Sequence, residues 1–130
     1  MSSRVAAVIA STAGLLAVAL GAFAAHALRD RLTVEQLTIW HTAVDYQFWH
    51  ALALFGVSIW MRQTVVAVRA HAKPLSIAAT AFSIGIVLFC GSLYALALGA
   101  PRWTGAITPL GGVAFIIGWL SMLTAAWRDR

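Results

Sequence analysis

Eight polar side chains interrupt the long apolar runs of this sequence and could carry chemistry. They are His26, Asp45, Tyr46, Gln47, His50, Ser92, Tyr94 and Thr108. Tyr46 and His50 are four residues apart and would share one face of a helix. A histidine beside a tyrosine in apolar surroundings could bind a metal, a haem iron or a quinone oxygen, or relay a proton. The alternative is structural: such groups form hydrogen bonds between helices and fix the register of a bundle.

The composition excludes a soluble globular protein. Of the 130 residues, 62% are apolar and 10% are charged, and the mean hydropathy is +0.87, whereas a soluble domain has about 45–50% apolar and about 25% charged residues. The net charge of +5 does not indicate nucleic-acid binding, because the basic residues stand in small groups at the ends of apolar runs and not along one stripe. The single cysteine, Cys90, excludes an internal disulfide, a CxxC redox pair and a thiolate metal cage.

Four apolar runs predict an all-α integral membrane protein, a four-helix bundle of up-down topology. A span needs about 20 apolar residues, so four spans leave only short connections and a single transmembrane domain over residues 1–130. The predicted spans are residues 5–28, 43–61, 75–99 and 109–127. The second helix is extended at its N-terminal end, where residues 34–42 form an interfacial start.

Local signals mark where the helices begin. Thr33 and Gln36 have the spacing of a capping box, and Pro74 suits the first turn of the third helix. Thr108 is predicted as the N-cap of the fourth helix, because a proline follows it at the first helical position. Residues 100–107 are predicted to form a loop.

The first apolar run has two interpretations. Arg4 precedes it and Ala22-Phe23-Ala24 resembles a cleavage site, as in a signal peptide. The run is longer than most signal-peptide cores, and small residues recur along it at spacings of three or four, which favours a retained helix with a smooth face.

Glycines are the second class of candidate residues. Those expected to mediate helix packing are Gly14, Gly21, Gly91, Gly99 and Gly118. Gly111 and Gly112 open the fourth helix, where accessible backbone N–H groups could contact an oxygen or an anion. Close helix packing is the alternative for this pair.

The distribution of basic residues predicts the orientation. Six of the nine Lys and Arg residues lie on the side of the two termini and three on the other side, so both termini are expected to face the cytoplasm. In an up-down bundle the eight polar side chains then fall at similar depth, and we expect them to form a polar pocket near the outer face of the membrane.

Four ordered motifs and a terminal pair carry a family resemblance. They are Gly21-Ala22-Phe23-Ala24-Ala25-His26, Tyr46-Gln47-Phe48-Trp49-His50-Ala51-Leu52-Ala53, Gly91-Ser92-Leu93-Tyr94-Ala95-Leu96-Ala97-Leu98, Thr108-Pro109-Leu110-Gly111-Gly112 and Gly118-Trp119. Over nearly the whole chain the sequence resembles the YgdD/YwdK-like small membrane proteins, the family of domain of unknown function 423. Ala24 departs from the family pattern, which tends to have glycine there. The resemblance implies a four-helix protein of the bacterial plasma (inner) membrane, and it supplies no known activity that could be carried over to this chain.

The leading functional hypothesis is a non-enzymatic accessory or interaction protein that uses the polar pocket. It needs no cofactor and no metal, and beyond the lipid bilayer its expected partner is a second copy of the chain or another membrane protein. A triad of Ser92, His50 and Asp45 can be assembled on paper, but no nucleophile-elbow motif supports an enzyme.

Two alternatives remain open. A redox-linked subunit would bind haem, copper or quinone through His26 and His50, the two histidines expected at matched depth. A small multidrug or ion transporter would need a carboxylate within the membrane, for which Asp45 is the candidate.

Overall fold

Four helical rods build the fold. The computed structural model describes residues 1–67 and 72–128. The α-helices are α1 (Ser3–Phe23), α2 (Val34–Ala67), α3 (Ala72–Gly85), α4 (Gly91–Ala97) and α5 (Thr108–Arg128). A π-helical turn, Ala24–Leu28, extends α1, and a second one, Ile86–Cys90, joins α3 to α4 in one rod. Every regular element in the described ranges is helical, which confirms the all-α four-helix class.

The second rod begins as the capping box predicts. The backbone N–H of Gln36 donates to Thr33 Oγ1 at 3.2 Å, and the backbone N–H of Thr33 donates to Gln36 Oε1 at 2.9 Å. These reciprocal bonds satisfy two backbone donors at the helix start. The helix then continues past the predicted end of the span at residue 61 and reaches Ala67.

The connection before α5 differs from the predicted loop. Gly99 has φ +92°, a left-handed conformation that ends α4 and that glycine adopts without a steric penalty. Within residues 100–107, Arg102–Ala106 form a 3₁₀-helix, which local hydrogen bonds such as Thr104 N–H to the Pro101 carbonyl stabilise. The helix α5 begins at Thr108 itself, so the residue predicted as N-cap lies in its first turn.

Alanines form the buried face of α1. Ala6, Ala10, Ala13 and Ala17 recur at three- and four-residue spacing and pack towards α2. Two side chains of α2 donate to carbonyls of α1, because small residues let the two backbones approach closely.

Within residues 1–67 and 72–128, three helices are long and apolar enough to cross a membrane, namely Ser3–Leu28, Lys73–Ala97 and Arg102–Arg128. The helix α2 is longer than these but is not among them, since Asp45, Gln47 and His50 lie in its middle. The bounds of the four spans, and the passage of α2 through the membrane, stay predictions. Arg69 and Arg130, two of the residues counted for the orientation, lie outside the described residues.

Because neighbouring helices run antiparallel, the starts and ends of particular helices meet at each end of the bundle. The Met1 nitrogen lies 2.7 Å from Ser76 Oγ, so the start of α1 and the start of α3 meet at one end. We call this the terminal end, because α5 also finishes there. The loop end is the opposite one, where Ser92 of α4 meets Thr108 of α5.

Candidate functional site

The eight predicted site residues do not form one pocket in this structure. Gln47, His50 and Ser92 are buried, whereas His26 and Asp45 are exposed. The buried side chains belong to three separate hydrogen-bonded groups, each of which joins different helices.

The first group joins three helices through Gln47. Its Nε2 donates to the Ala13 carbonyl of α1 at 2.8 Å, and its Oε1 accepts from the Tyr94 hydroxyl of α4 at 2.9 Å. The Tyr94 ring packs on Trp40 with centroids 4.7 Å apart, and the Trp40 indole N–H donates to the Leu20 carbonyl at 3.0 Å. The group therefore fixes the position of α1 relative to α2 and α4.

The second group is centred on His50. Its Nδ1 lies 2.7 Å from the Tyr46 carbonyl, which can only accept, so Nδ1 carries the hydrogen. Its Nε2 then accepts from the indole N–H of Trp119 on α5 at 3.4 Å. The imidazole also stacks on Phe115 with centroids 3.5 Å apart and planes 12° apart. Both ring nitrogens are thus engaged within the bundle.

The third group closes the loop end. The Ser92 hydroxyl donates to the Phe89 carbonyl at 2.9 Å, which uses its one hydrogen. The Thr108 hydroxyl, 2.7 Å from Ser92 Oγ, is then the donor in the contact between them. The Thr108 side chain thus forms a hydrogen bond between α5 and α4.

The three groups extend over different depths, although the first and third overlap on α4, where Tyr94 and Ser92 are two residues apart. Ala13 lies ten residues into α1, about 15 Å along the helix axis and thus about half of a 30 Å hydrocarbon core. Ser92 and Thr108 lie at the loop end, while Trp119 lies eleven residues further along α5. The sequence predicts a similar depth for the Cα atoms of the eight polar residues. The polar atoms at the ends of their side chains can lie at other depths, because long side chains extend away from their own Cα atoms.

The exposed residues lie apart from these groups. His26 lies on the π-helical turn after α1 and is exposed, whereas His50 is 6% exposed in the core, so the two do not form a ligand pair. Asp45 lies in a shallow surface pocket between α1 and α2, beside Gly21 and Phe48. Among the described residues no three His, Cys, Asp or Glu side chains are grouped to hold a metal ion.

The α3–α4 rod and α5 face each other, and each glycine at their contact lies opposite a phenylalanine of the other rod. A Cβ atom at Gly111 would overlap the backbone nitrogen of Phe89, and one at Gly118 would lie 2.5 Å from the Phe82 ring. Gly85 faces the ring of Phe115 in the same way. Gly85 is not among the glycines predicted to mediate packing, although the spacing Phe82-Gly85-Phe89 against Gly111-Phe115-Gly118 is a usable signal.

The other predicted packing glycines behave differently. Gly21 lies against Val44, 3.4 Å from where its Cβ would be. A Cβ atom added at Gly14, Gly91 or Gly99 would meet no described atom within 4 Å beyond its own stretch of backbone, so these three do not pack closely on a neighbouring helix. Gly112 makes only an ordinary contact with Phe89. The close approach at Gly111 favours the packing interpretation over an anion contact.

A groove between α1 and the α3–α4 rod is the feature that the sequence did not reveal. Its volume is about 490 Å³, and its floor is formed by Gln47 and Tyr94 of the first hydrogen-bonded group. Its walls are formed by Val8, Ile9, Thr12, Ala13, Leu16, Leu20, Ser83, Ile86, Val87 and Gly91. We call it the side groove. It opens on the outer surface of the bundle.

A double-mutant cycle tests whether the Gln47–Tyr94 contact stabilises the bundle. Gln47→Met is expected to lower the free energy of unfolding by about 2 kcal/mol, since it leaves the Tyr94 hydroxyl without its partner. Tyr94→Phe is expected to cost about 1 kcal/mol, and the double variant about 2 kcal/mol, a coupling of about 1 kcal/mol. Unfolding in mixed detergent micelles, followed by tryptophan fluorescence, measures these values. Strictly additive costs would show that the contact contributes nothing.

Comparison with known proteins identifies the family. Residues 20–112 match the model of the family described as "Protein of unknown function (DUF423)". The chain is 45% identical over 112 residues to the UPF0382 membrane protein YwdK of Bacillus subtilis, with 86% of this chain and 87% of YwdK covered. It is 37% identical over 128 residues to the UPF0382 inner membrane protein YgdD of Escherichia coli K12, with 98% of this chain and 93% of YgdD covered.

Other relatives agree with this result. The chain is 40% identical over 114 residues to the UPF0382 membrane protein SSP2132 of Staphylococcus saprophyticus, with 88% of this chain and 89% of that protein covered. No solved structure matches the chain. The predicted resemblance is confirmed, and the chain belongs to the DUF423 family of small bacterial membrane proteins.

Proposed function

We propose that this small integral membrane protein is a non-enzymatic accessory protein that binds a transmembrane helix of a partner in the side groove. The observation that carries the proposal is the groove itself, an open and mostly apolar site about 490 Å³ in volume on the outer surface of the bundle. Among the buried polar side chains, Gln47, His50 and Ser92 form hydrogen bonds between helices.

The polar core supports a structural role for the candidate residues. Gln47 binds through both ends of its amide, and His50 through both ring nitrogens. A group that served as acid, base or metal ligand would need an atom free to face its substrate or ion. The haem, copper and quinone hypothesis would require His50 to leave Tyr46 and Trp119, and exposed His26 would have to supply the second ligand.

The shape of the side groove favours a helix as the occupant. Gly91 has no neighbour within 4 Å of a built Cβ, and Ala13, Thr12 and Ser83 give the walls further small side chains. In lipid, helices associate through close packing and hydrogen bonds, for which small residues at the interface are typical. A second copy of the chain or a different membrane protein would both supply such a helix.

The orientation belongs to the same proposal. At the terminal end the described residues include Arg4, Arg62, Lys73 and Arg128, and basic residues are enriched on the cytoplasmic side of membrane proteins. The relative YgdD is named an inner membrane protein. We therefore assign the chain to the inner membrane with both termini in the cytoplasm.

Photo-crosslinking in native membranes tests the side groove. A photoreactive phenylalanine analogue at Val87, a groove residue that is 69% exposed, is expected to give a discrete protein adduct. The same analogue at Leu123, 55% exposed on α5 and outside the groove, is the matched control and is expected to label lipid alone. The mass of the Val87 adduct distinguishes a second copy from another protein.

A pair of glycine variants gives the proposal a second test. Gly91→Leu fills the groove and is expected to abolish the Val87 adduct, while Gly56→Leu, exposed on α2 with no neighbour near its Cβ, leaves it intact. Lipid labelling alone at Val87, or an adduct that survives Gly91→Leu, would overturn the proposal.

A further inference from the structure

A second cleft, on the opposite side of α3 from the side groove, lies between α3 and α5 at the terminal end. It has a volume of about 380 Å³, and both of its charged lining residues are cations. The lining residues are Lys73, Pro74, Ile77, Ser121, Thr124 and Arg128. We call it the basic cleft.

The polar groups of the basic cleft suit an anion. Lys73 starts the rod of α3 and Arg128 ends α5, so that the antiparallel packing of the two helices brings both cations to one cleft. Both side chains are exposed. The Thr124 hydroxyl donates its one hydrogen to the Leu120 carbonyl, so the two cations are the groups that would bind the anion.

An apolar groove continues from the cleft along the seam of the same two helices. Ile77 lines both features. The groove has a volume of about 450 Å³, and its lining residues are Ser76, Ile77, Thr80, Ala81, Ile84, Leu110, Val113, Ala114 and Ile117. The surface between α3 and α5, which we call the seam, thus has two cations at one end and an apolar groove along the rest of its length. We call the apolar part the seam groove.

We propose that this seam binds one anionic phospholipid, with its phosphodiester between Lys73 and Arg128 and an acyl chain in the seam groove. A guanidinium can hold two phosphate oxygens at once, while a lysine supplies a point charge, so the two cations suit one phosphodiester. Basic pockets between helices at the cytoplasmic end of a bundle are a recurrent form of lipid recognition. A zwitterionic lipid carries no net negative charge to complement them.

Native mass spectrometry of the full-length protein tests the assignment. The protein in detergent micelles is titrated with phosphatidylglycerol, with phosphatidylcholine and with inorganic phosphate. Phosphatidylglycerol is expected to remain bound in the gas phase and phosphatidylcholine to be lost. The double variant Lys73→Gln/Arg128→Gln is expected to bind phosphatidylglycerol about 30-fold more weakly, the equivalent of about 2 kcal/mol for two basic residues.

Matched variants separate this site from general attraction. Arg4→Gln/Arg62→Gln removes the same charge from exposed residues of the same end that lie outside the cleft, and it is expected to change the affinity less than 3-fold (about 0.6 kcal/mol). Lys73→Arg/Arg128→Lys is expected to retain the lipid. Thr80→Trp, which fills the seam groove without a change of charge, is expected to weaken binding about 5-fold.

Three outcomes would overturn the proposal. Equal losses in the two charge-deleted double variants would show attraction to the whole basic end. Equal retention of phosphatidylcholine would remove the role of charge. Displacement of the lipid by equimolar inorganic phosphate, together with no effect of Thr80→Trp, would identify a free-phosphate site in place of a lipid site.

Discussion

Replacement of Gly111 with alanine is expected to lower the free energy of unfolding by about 3 kcal/mol, at the upper end of the cost of overpacking. The added Cβ would overlap the Phe89 backbone nitrogen and lie 2.7 Å from the Phe89 Cβ. A flexible side chain could move aside, but a helix backbone cannot do so without moving the whole α3–α4 rod. The contact between the rod and α5 would therefore open, and the stacking of Phe115 on His50 would weaken with it.

Gly112 provides the matched control for this prediction. Its Cβ would lie 3.9 Å from the Phe89 ring, an ordinary van der Waals distance. Gly112→Ala is expected to change stability by less than about 1 kcal/mol, in the stabilising direction, because alanine has the higher helix propensity. Detergent-induced unfolding, followed by circular dichroism, measures both variants. Equal stabilities would show that the close approach at Gly111 is not required for the fold.

Replacement of His50 with alanine is expected to cost about 3 kcal/mol of unfolding free energy, whereas His26→Ala changes it by less than about 0.5 kcal/mol. His50 is 6% exposed, stacks on Phe115 and accepts from Trp119, so its removal leaves a cavity and an unpaired indole N–H. His26 is exposed on the π-helical turn. The same unfolding measurement compares the two variants.

A ligand role for the histidines predicts a different pattern. If haem or copper were bound through His26 and His50, both alanine variants would lose the absorbance or the metal from protein purified out of native membranes, and His26→Ala would then be destabilised as well. A large cost at His50 alone, with unchanged absorbance and metal content, is the result expected from the hydrogen bonds described here.

Several features could be predicted from the sequence because their signals are local. The capping box needs only Thr33 and Gln36 at the right spacing, and both of its hydrogen bonds are present. The apolar composition by itself determined membrane helices, since a bilayer leaves few other structures for such a chain. The family could be predicted from four ordered motifs, and the comparisons confirm it.

Other features depend on which helix faces meet. In a soluble helix the apolar stripe marks the buried face, but the helices of this chain are apolar nearly all round, so hydropathy does not show which face turns inwards. From the sequence alone, Gly14 and Gly91 could therefore not be distinguished from Gly85 and Gly111. Only the last two lie in close contact with a neighbouring helix.

The tertiary structure also decided what the polar residues do. The sequence placed Gln47 and His50 on one helix, but only the antiparallel register brought Ala13 and Tyr94 to Gln47 and Trp119 to His50. Composition and local spacing determine helices and their starts through contacts within a few residues. Grooves and interhelical hydrogen bonds depend on atoms that are far apart in the chain, and their positions follow from how closely each pair of helices can pack.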